Sequence, residues 1–188
     1  MILGFTGSYC CGKDTVANYI VDKYGFTHFS LSDIIREEMK KANVDTTREN
    51  LIVFGTRLRQ ENGNGVLADL AIKKIQDGAY NYCITSIRHP AEVLALKKQK
   101  NFTLINVDAP SDVRFERMLK RKRAGDPQTL EKFNQLEKKE SQSSGAGQQL
   151  ANTAALADIT FINDFPNLDL LYKAIDEILN KLTDKKMK

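Results

Sequence analysis

The chain is poor in metal-binding and crosslinking chemistry: it has two histidines, His28 and His89, and three cysteines, Cys10, Cys11 and Cys83. No zinc-ligand spacing can be written from so few, and with two cysteines adjacent no disulfide framework emerges. Long apolar runs are missing as well. Nothing approaches 18 residues, so no segment reads as a membrane span. The first apolar run, residues 1–5, has the length of a strand and leaves no room for a signal peptide, which makes the cytoplasm the expected location. There are no internal repeats, and the one small-residue patch is SQSSGAG at 141–147, expected to be a mobile loop. Lopsided charge is also absent. A formal net charge of +4 suits an anionic small molecule as well as nucleic acid and decides between neither.

What is present has ordinary globular usage: 188 residues, 41% hydrophobic and 28% charged, enough for one domain with its own core. That domain is expected over residues 1–183, with 184–188 a frayed tail. Short β-rich runs at 2–6, 27–31, 82–86, 103–107 and 158–162 alternate with helical patterns. Val16, Ala17, Ile20, Val21 and Tyr24 repeat at helical spacing, and Gly25 is placed to end that helix. Thr46 and Glu49 have capping-box spacing ahead of another helix. After a break at Gly63 and Gly65, residues Val66, Leu67, Leu70, Ala71 and Ile75 form a third apolar face. Further helices are expected over 91–100, 112–123, 130–140 and 168–182. The alternation predicts an α/β fold of three αβα layers around a five-stranded parallel sheet, with ligands at the carboxyl ends of the strands.

Directly after the first strand comes GSYCCGKDT, with Gly7, Gly12, Lys13, Asp14 and Thr15. The glycines let the backbone turn tightly, so that several N–H groups face one concavity. A helix begins there, and its free N–H groups and dipole favour anions. Lys13 would reach the β- and γ-phosphates of a nucleoside triphosphate, while Cys10 and Cys11 contribute backbone to the same turn. A strict match needs Ser or Thr where this chain has Asp14. That carboxylate either complements the dipole of the first helical turn or holds magnesium or a magnesium-bound water. Thr15 serves a phosphate oxygen or caps locally.

Together several motifs resemble the nucleoside-monophosphate kinase group of P-loop proteins, near deoxynucleotide monophosphate kinases, dephospho-CoA kinases and archaeal adenylate-kinase-related proteins. GKDTVA at 12–17 is similar to the form seen in the first of these. FSLSDIIR, with Asp33 and Arg36, resembles the acceptor-binding segment of adenylate kinases. The resemblance implies that Arg36 grips the acceptor's phosphate and Asp33 an acceptor hydroxyl; by themselves they read as residues of a solvated amphipathic helix. TSIRHPAEV supplies Arg88, matching a second acceptor-side arginine whose planar fork suits phosphate. RQENGNGVLA places Arg59 in a segment that faces the acceptor in the archaeal relatives.

RFERMLKRKRAGDP carries Arg117 and Arg121, four apart and therefore on one helical face. They resemble lid arginines that close over the triphosphate, in a lid-like segment spanning about 112–147. No aromatic residue interleaves the central basic run, so a base-stacking platform for nucleic acid is not supported. ADITFINDFPNLDLL resembles the terminal strand and loop of dephospho-CoA kinases, which implies that the backbone from Asn163 to Phe165 borders the donor's adenine. One departure stands out. Related kinases end the third strand with an Asp that organises the metal's water shell, where this chain has Thr85 and Ser86, leaving Asp14 or Asp108 to compensate.

The resemblance implies ATP and Mg²⁺ as cofactors and phosphoryl transfer to a (deoxy)nucleoside monophosphate. Two rivals stand beside it. One is transfer to a 3′-hydroxyl, as in dephospho-CoA kinases, with Asp33 helping to take the proton. The other is a regulatory or assembly ATPase with no small-molecule acceptor, which the missing third-strand Asp favours. Spacing rules name neither the acceptor nor the oligomeric state.

Overall fold

A computed structural model describes residues 1–75, 81–122, 126–141 and 144–184. Its centre is β1 (Ile2–Gly7), a nearly unbroken buried run, as expected of a strand covered on both faces. β2 (Thr27–Ser30), β3 (Tyr82–Thr85), β4 (Phe102–Asp108) and β5 (Ile159–Ile162) complete a sheet in the order β2-β3-β1-β4-β5. Every pairing is parallel, with Ile2 opposite both Tyr82 and Phe102 and Gly7 opposite Val107. The carboxyl ends of all five strands therefore open on one edge.

Side chains alternate across the sheet, and each face has its own core. α1 (Lys13–Tyr24) and α9 (Leu168–Asp184) cover one face, where Leu3, Phe5, Val16, Ile20, Ile105, Val107, Leu171 and Ile175 meet. The other face is covered by α2 (Leu31–Lys41), α3 (Arg48–Asn62), α4 (Val66–Ile72) and α5 (Pro90–Leu96). Its core contains Leu31, Ile34, Met39, Phe54, Leu67, Ile84, Leu96 and Leu104. α6 (Ser111–Arg121) follows β4 and packs on α7 (Leu130–Ser141) through Phe115 and the fully buried Phe133, whose rings lie 5.7 Å apart. A short α8 (Leu150–Ala154) rests against β1 before β5 begins.

All five strands fall where their apolar runs predict. Helix ends are less regular. The N-cap of α3 is Thr47, one residue beyond the expected Thr46, and its hydroxyl accepts from the Asn50 N–H at 3.2 Å. The helix expected over 91–100 stops at Leu96, and the one expected over 112–123 ends at Arg121, where Lys122 turns left-handed at φ 52°. Asp184, the first residue of the expected frayed tail, belongs to α9, and 185–188 lie outside the described residues. Of the expected loop 141–147, Ser141 closes α7, 144–147 form a turn, and 142–143 lie outside the described residues. α8 has five residues, too few to print a period in the sequence.

Candidate functional site

The turn between β1 and α1 is built from close approaches. A Cβ on Gly7 (φ 152°) would run into the Val107 carbonyl oxygen of the neighbouring strand. Gly12 (φ 87°) is the N-cap of α1, and a Cβ there would meet the Asn163 side-chain amide. Cys10 adopts φ 59° without being glycine, a conformation that costs energy unless its surroundings impose it. No side chain caps α1, so the N–H groups of its first turn stay open for an anion. Lys13 is mostly buried, and its Nζ lies 3.5 Å from the Asp14 carboxylate, which points outward.

The loop is braced from behind. Asn163, just past β5, donates its backbone N–H to the Asp108 carbonyl (2.7 Å) and its side-chain amide to the Cys11 carbonyl (2.9 Å). Arg117 donates to the same Cys11 carbonyl (3.3 Å) and to that of Asn163 (3.0 Å). Asn163 Oδ1 is buried with no partner among the described residues. Arg117 thus already spans the loop and the segment after β5, where Phe165, Pro166 and Asn167 continue the wall of a cleft of about 870 Å³. This cleft brings together Lys13, Asp14, Thr15, Arg36, Arg88, Arg117, Arg121 and Asn163.

Arg121 is held rather than free. It donates to the Tyr9 hydroxyl and to Asp126 (3.0 Å), and Tyr9 donates to Asp126 at 2.8 Å. The Arg121 guanidinium lies 4.8 Å and that of Arg48 4.2 Å from the Tyr9 ring centre, positions that favour cation–π attraction. Partial burial alone would raise the Asp126 pKa, but the bonds from Tyr9 and Arg121 outweigh it and hold the carboxyl below its ordinary value. Burial raises the Tyr9 phenol, and its bond to Asp126 adds to that. Tyr9 and Arg48 were not among the sequence candidates. Tyr9 occupies a position of the glycine-lysine motif that admits any residue, and Arg48 is marked only by its place after a helix cap.

A second cavity, about 360 Å³, adjoins the cleft and shares Tyr9, Ser32, Arg36, Ser86 and Arg88 with it. Arg36, Arg48 and Arg88 line it around the apolar Ile35, Leu51 and Ile52. Arg36 holds Asp33 (2.6 Å) and Ser32 (2.9 Å) in a solvent-exposed pair, and Arg88 donates to Gln148 at 2.8 Å. Arg59 lines this cavity too, and it has a structural partner as well. It is 3% exposed and gives Nε and Nη2 to the fully buried Glu92 (2.9 and 2.7 Å). Glu92 in turn accepts the N–H groups of Arg88 (2.8 Å) and His89 (3.1 Å). Arg59 therefore fixes the loop that carries Arg88 while itself lining the cavity.

At the end of β3 hydroxyls replace the expected carboxylate. Ser86 (φ 63°) lies 3.0 Å from Ser30, itself 2.8 Å from Ser32, and Thr85 bonds His28 at 2.9 Å. Asp108 ends β4, on the other side of β1, and accepts its neighbour Ala109's N–H at 2.9 Å. Among the described residues no three His, Cys, Asp or Glu side chains stand together as a metal cage. The donors at the head of α1 fit a magnesium ion whose ligands are mainly phosphate oxygens and water, reached by Asp14 and Thr15. None of the cysteines is an activated thiol. Burial raises Cys10 and Cys11 and pushes Cys83 up to about 12.

A family model described as an AAA domain matches residues 6–134. A UPF0200 protein of Thermococcus kodakarensis is 33% identical over 191 residues, covering 97% of this chain and all of its own. One from Hyperthermus butylicus is 30% identical, covering 97% of this chain and 94% of its own. Among solved structures, TT1252 from Thermus thermophilus superposes with a TM-score of 0.63 at 17% identity, covering 97% of each chain. The shikimate kinase of Acinetobacter baumannii, in complex with shikimate, gives 0.60 at 14% identity, covering all of this chain and 95% of its own. Likeness at such identity establishes the fold.

Proposed function

The chain belongs to the UPF0200 family and carries an AAA domain of the P-loop kinase-like kind, and on that premise we propose that it transfers the γ-phosphoryl group of ATP to a (deoxy)nucleoside monophosphate. One observation carries the reading: the cleft at Lys13 and the arginine-lined cavity are contiguous and share Arg36 and Arg88. A triphosphate tail on the α1 amides and a phosphate between those two arginines would face each other across one gap. Phosphoryl transfer asks mainly for this kind of positioning and charge stabilisation.

In this reading Lys13 and the loop amides hold the donor phosphates, and Phe165 to Asn167 border the donor's base. Arg36 and Arg88 orient the acceptor phosphate, with the buried Arg59–Glu92 pair setting the angle of the Arg88 loop. Arg117 and Arg121 offset charge on the transferring group, and closure of their helix excludes the water that would otherwise hydrolyse ATP. Magnesium, when bound, neutralises the β- and γ-oxygens, and Thr15 and Asp14 are the residues to hold it.

Lys13→Ala should lower kcat by about 10²–10³, or roughly 3–4 kcal/mol, as for other preorganised charge contacts; undiminished transfer in that variant would overturn the proposal. Arg36→Ala should raise the acceptor's KM at least about tenfold and leave the donor's nearly unchanged, and an unaltered acceptor KM removes that role. A second reading, transfer to a hydroxyl acceptor, is favoured by the exposed Asp33 beside Arg36, since a carboxylate there would take the hydroxyl proton. A regulatory ATPase is favoured by the hydroxyls at the end of β3. Coupled ADP production with dCMP, dTMP, AMP and dephospho-CoA separates the three: stimulation by a monophosphate, by dephospho-CoA, or by none.

A further inference from the structure

Neither Asn106 nor the cavity it lines has a part in the reading above. β4 turns Leu104 into the core beneath α2 to α5, and alternation puts Asn106 and Asp108 on that same face. Asn106 is 8% exposed, and its side-chain amide, which makes no hydrogen bond among the described residues, is not sealed from solvent. It opens into a cavity of about 430 Å³, within the roughly 300–1,000 Å³ of small-molecule sites. Lys13 does not line this cavity, and neither do Arg36 or Arg88.

The walls select the ligand. Backbone at Gly7 and Ser8 forms one part, and α8 contributes Leu150, Ala151 and Ala154, apolar and mostly small, with no side-chain hydrogen-bonding group. That surface suits the face of an aromatic ring, while Tyr9, Asn134 and Asp108 on the remaining walls offer polar partners to groups around it. The charged lining is Asp108, Glu137 and Lys138; Arg114 pairs with Glu137 and lies 3.8 Å from Asp108, so the wall has no surplus cation to hold a phosphate. An Asn amide presents a donor and an acceptor side by side in one plane, the pattern that pairs with adjacent donor and acceptor atoms on the edge of a nucleobase. We propose that this cavity, beside the first half of the P-loop, is a binding site for the base of a nucleoside, with Asn106 reading its edge.

The test titrates isotope-labelled protein with adenosine, guanosine, cytidine and uridine, which carry no phosphate, and follows the Asn106 side-chain amide by NMR. At least one should shift that resonance saturably. Asn106→Leu should abolish binding and leave Tm nearly unchanged, because the amide it removes makes no hydrogen bond to another described residue and the new side chain is of similar size. Ala151→Phe fills the cavity from α8 without touching Asn106 and should abolish binding as well. Lys13→Ala should retain it, so the site can stand or fall independently of phosphoryl transfer. The proposal is overturned if no nucleoside moves the amide, which assigns it to internal water. Undiminished binding by Asn106→Leu or Ala151→Phe overturns it too, as does loss of binding in Lys13→Ala, which places the nucleoside in the main cleft.

Discussion

Arg59 lines a cavity and holds a neighbouring loop at the same time. Truncating it leaves the Glu92 carboxylate buried and unpaired, so Arg59→Ala should lose about 3–5 kcal/mol of stability, measured by urea unfolding. The double variant Arg59→Met, Glu92→Leu should recover much of that, because no buried charge remains, while still raising the acceptor KM. It removes the carboxylate that receives the Arg88 and His89 N–H groups. Cys83 makes a separate prediction. With its thiol pushed up to about 12 by burial, the stability it contributes is full below the ordinary thiol range of about 8.5 and is lost as pH rises toward 12. Iodoacetamide at pH 8 should leave Cys83 unmodified in the folded protein and label it after unfolding, as read by mass spectrometry. Residues such as Gly7, Gly12 and Lys13 were legible in the sequence because their spacing is local and their chemistry specific. The Arg59–Glu92 pair was not, since no rule of spacing links positions 33 apart, and the same holds for Arg48 against Tyr9.

Elements were legible in proportion to how much of their stabilisation is local. The strands are continuous apolar runs bounded by turn residues, and α1 carries its own period and its own terminating Gly25. α8 is held in place by contact with β1 rather than by its own pattern, and no local signal announced it. The end of α6 depends on the contact of Arg121 with Tyr9 and Asp126, which pins a helix to the phosphate loop. Because Asp126 titrates below its ordinary value in the folded protein, its contribution is present above about pH 4 and fades as pH falls through the lowered value. Asp126→Asn removes the charge that holds Arg121. It should make proteolysis within 112–147 faster in the absence of nucleotide, and an unchanged cleavage rate would show that α6 is held by other contacts.

Across the whole molecule, the β2-β3-β1-β4-β5 order places the glycine-lysine loop at mid-sheet, with Arg36 and Arg88 arriving from the β2 and β3 side and the brace residues Arg117 and Asn163 from the β4 and β5 side. The outer layer is tied down independently, where Asp176 of α9 accepts from Tyr19 (2.9 Å), Tyr24 (2.7 Å) and Lys23 (2.7 Å) of α1. Among the described residues, Tyr9 alone lines all three of these cavities, gripped by Arg48 from α3 and by Arg121 from α6. A ligand that draws Arg121 away also changes what Arg48 rests on. Occupancy of either pocket should then alter affinity in the other, by the same factor in both directions. Calorimetric titration of dCMP with and without a non-hydrolysable ATP analogue should give a dissociation-constant ratio different from one, and Tyr9→Ala should bring it back toward one. Cooperativity between two substrates would then be traced to a single phenol ring.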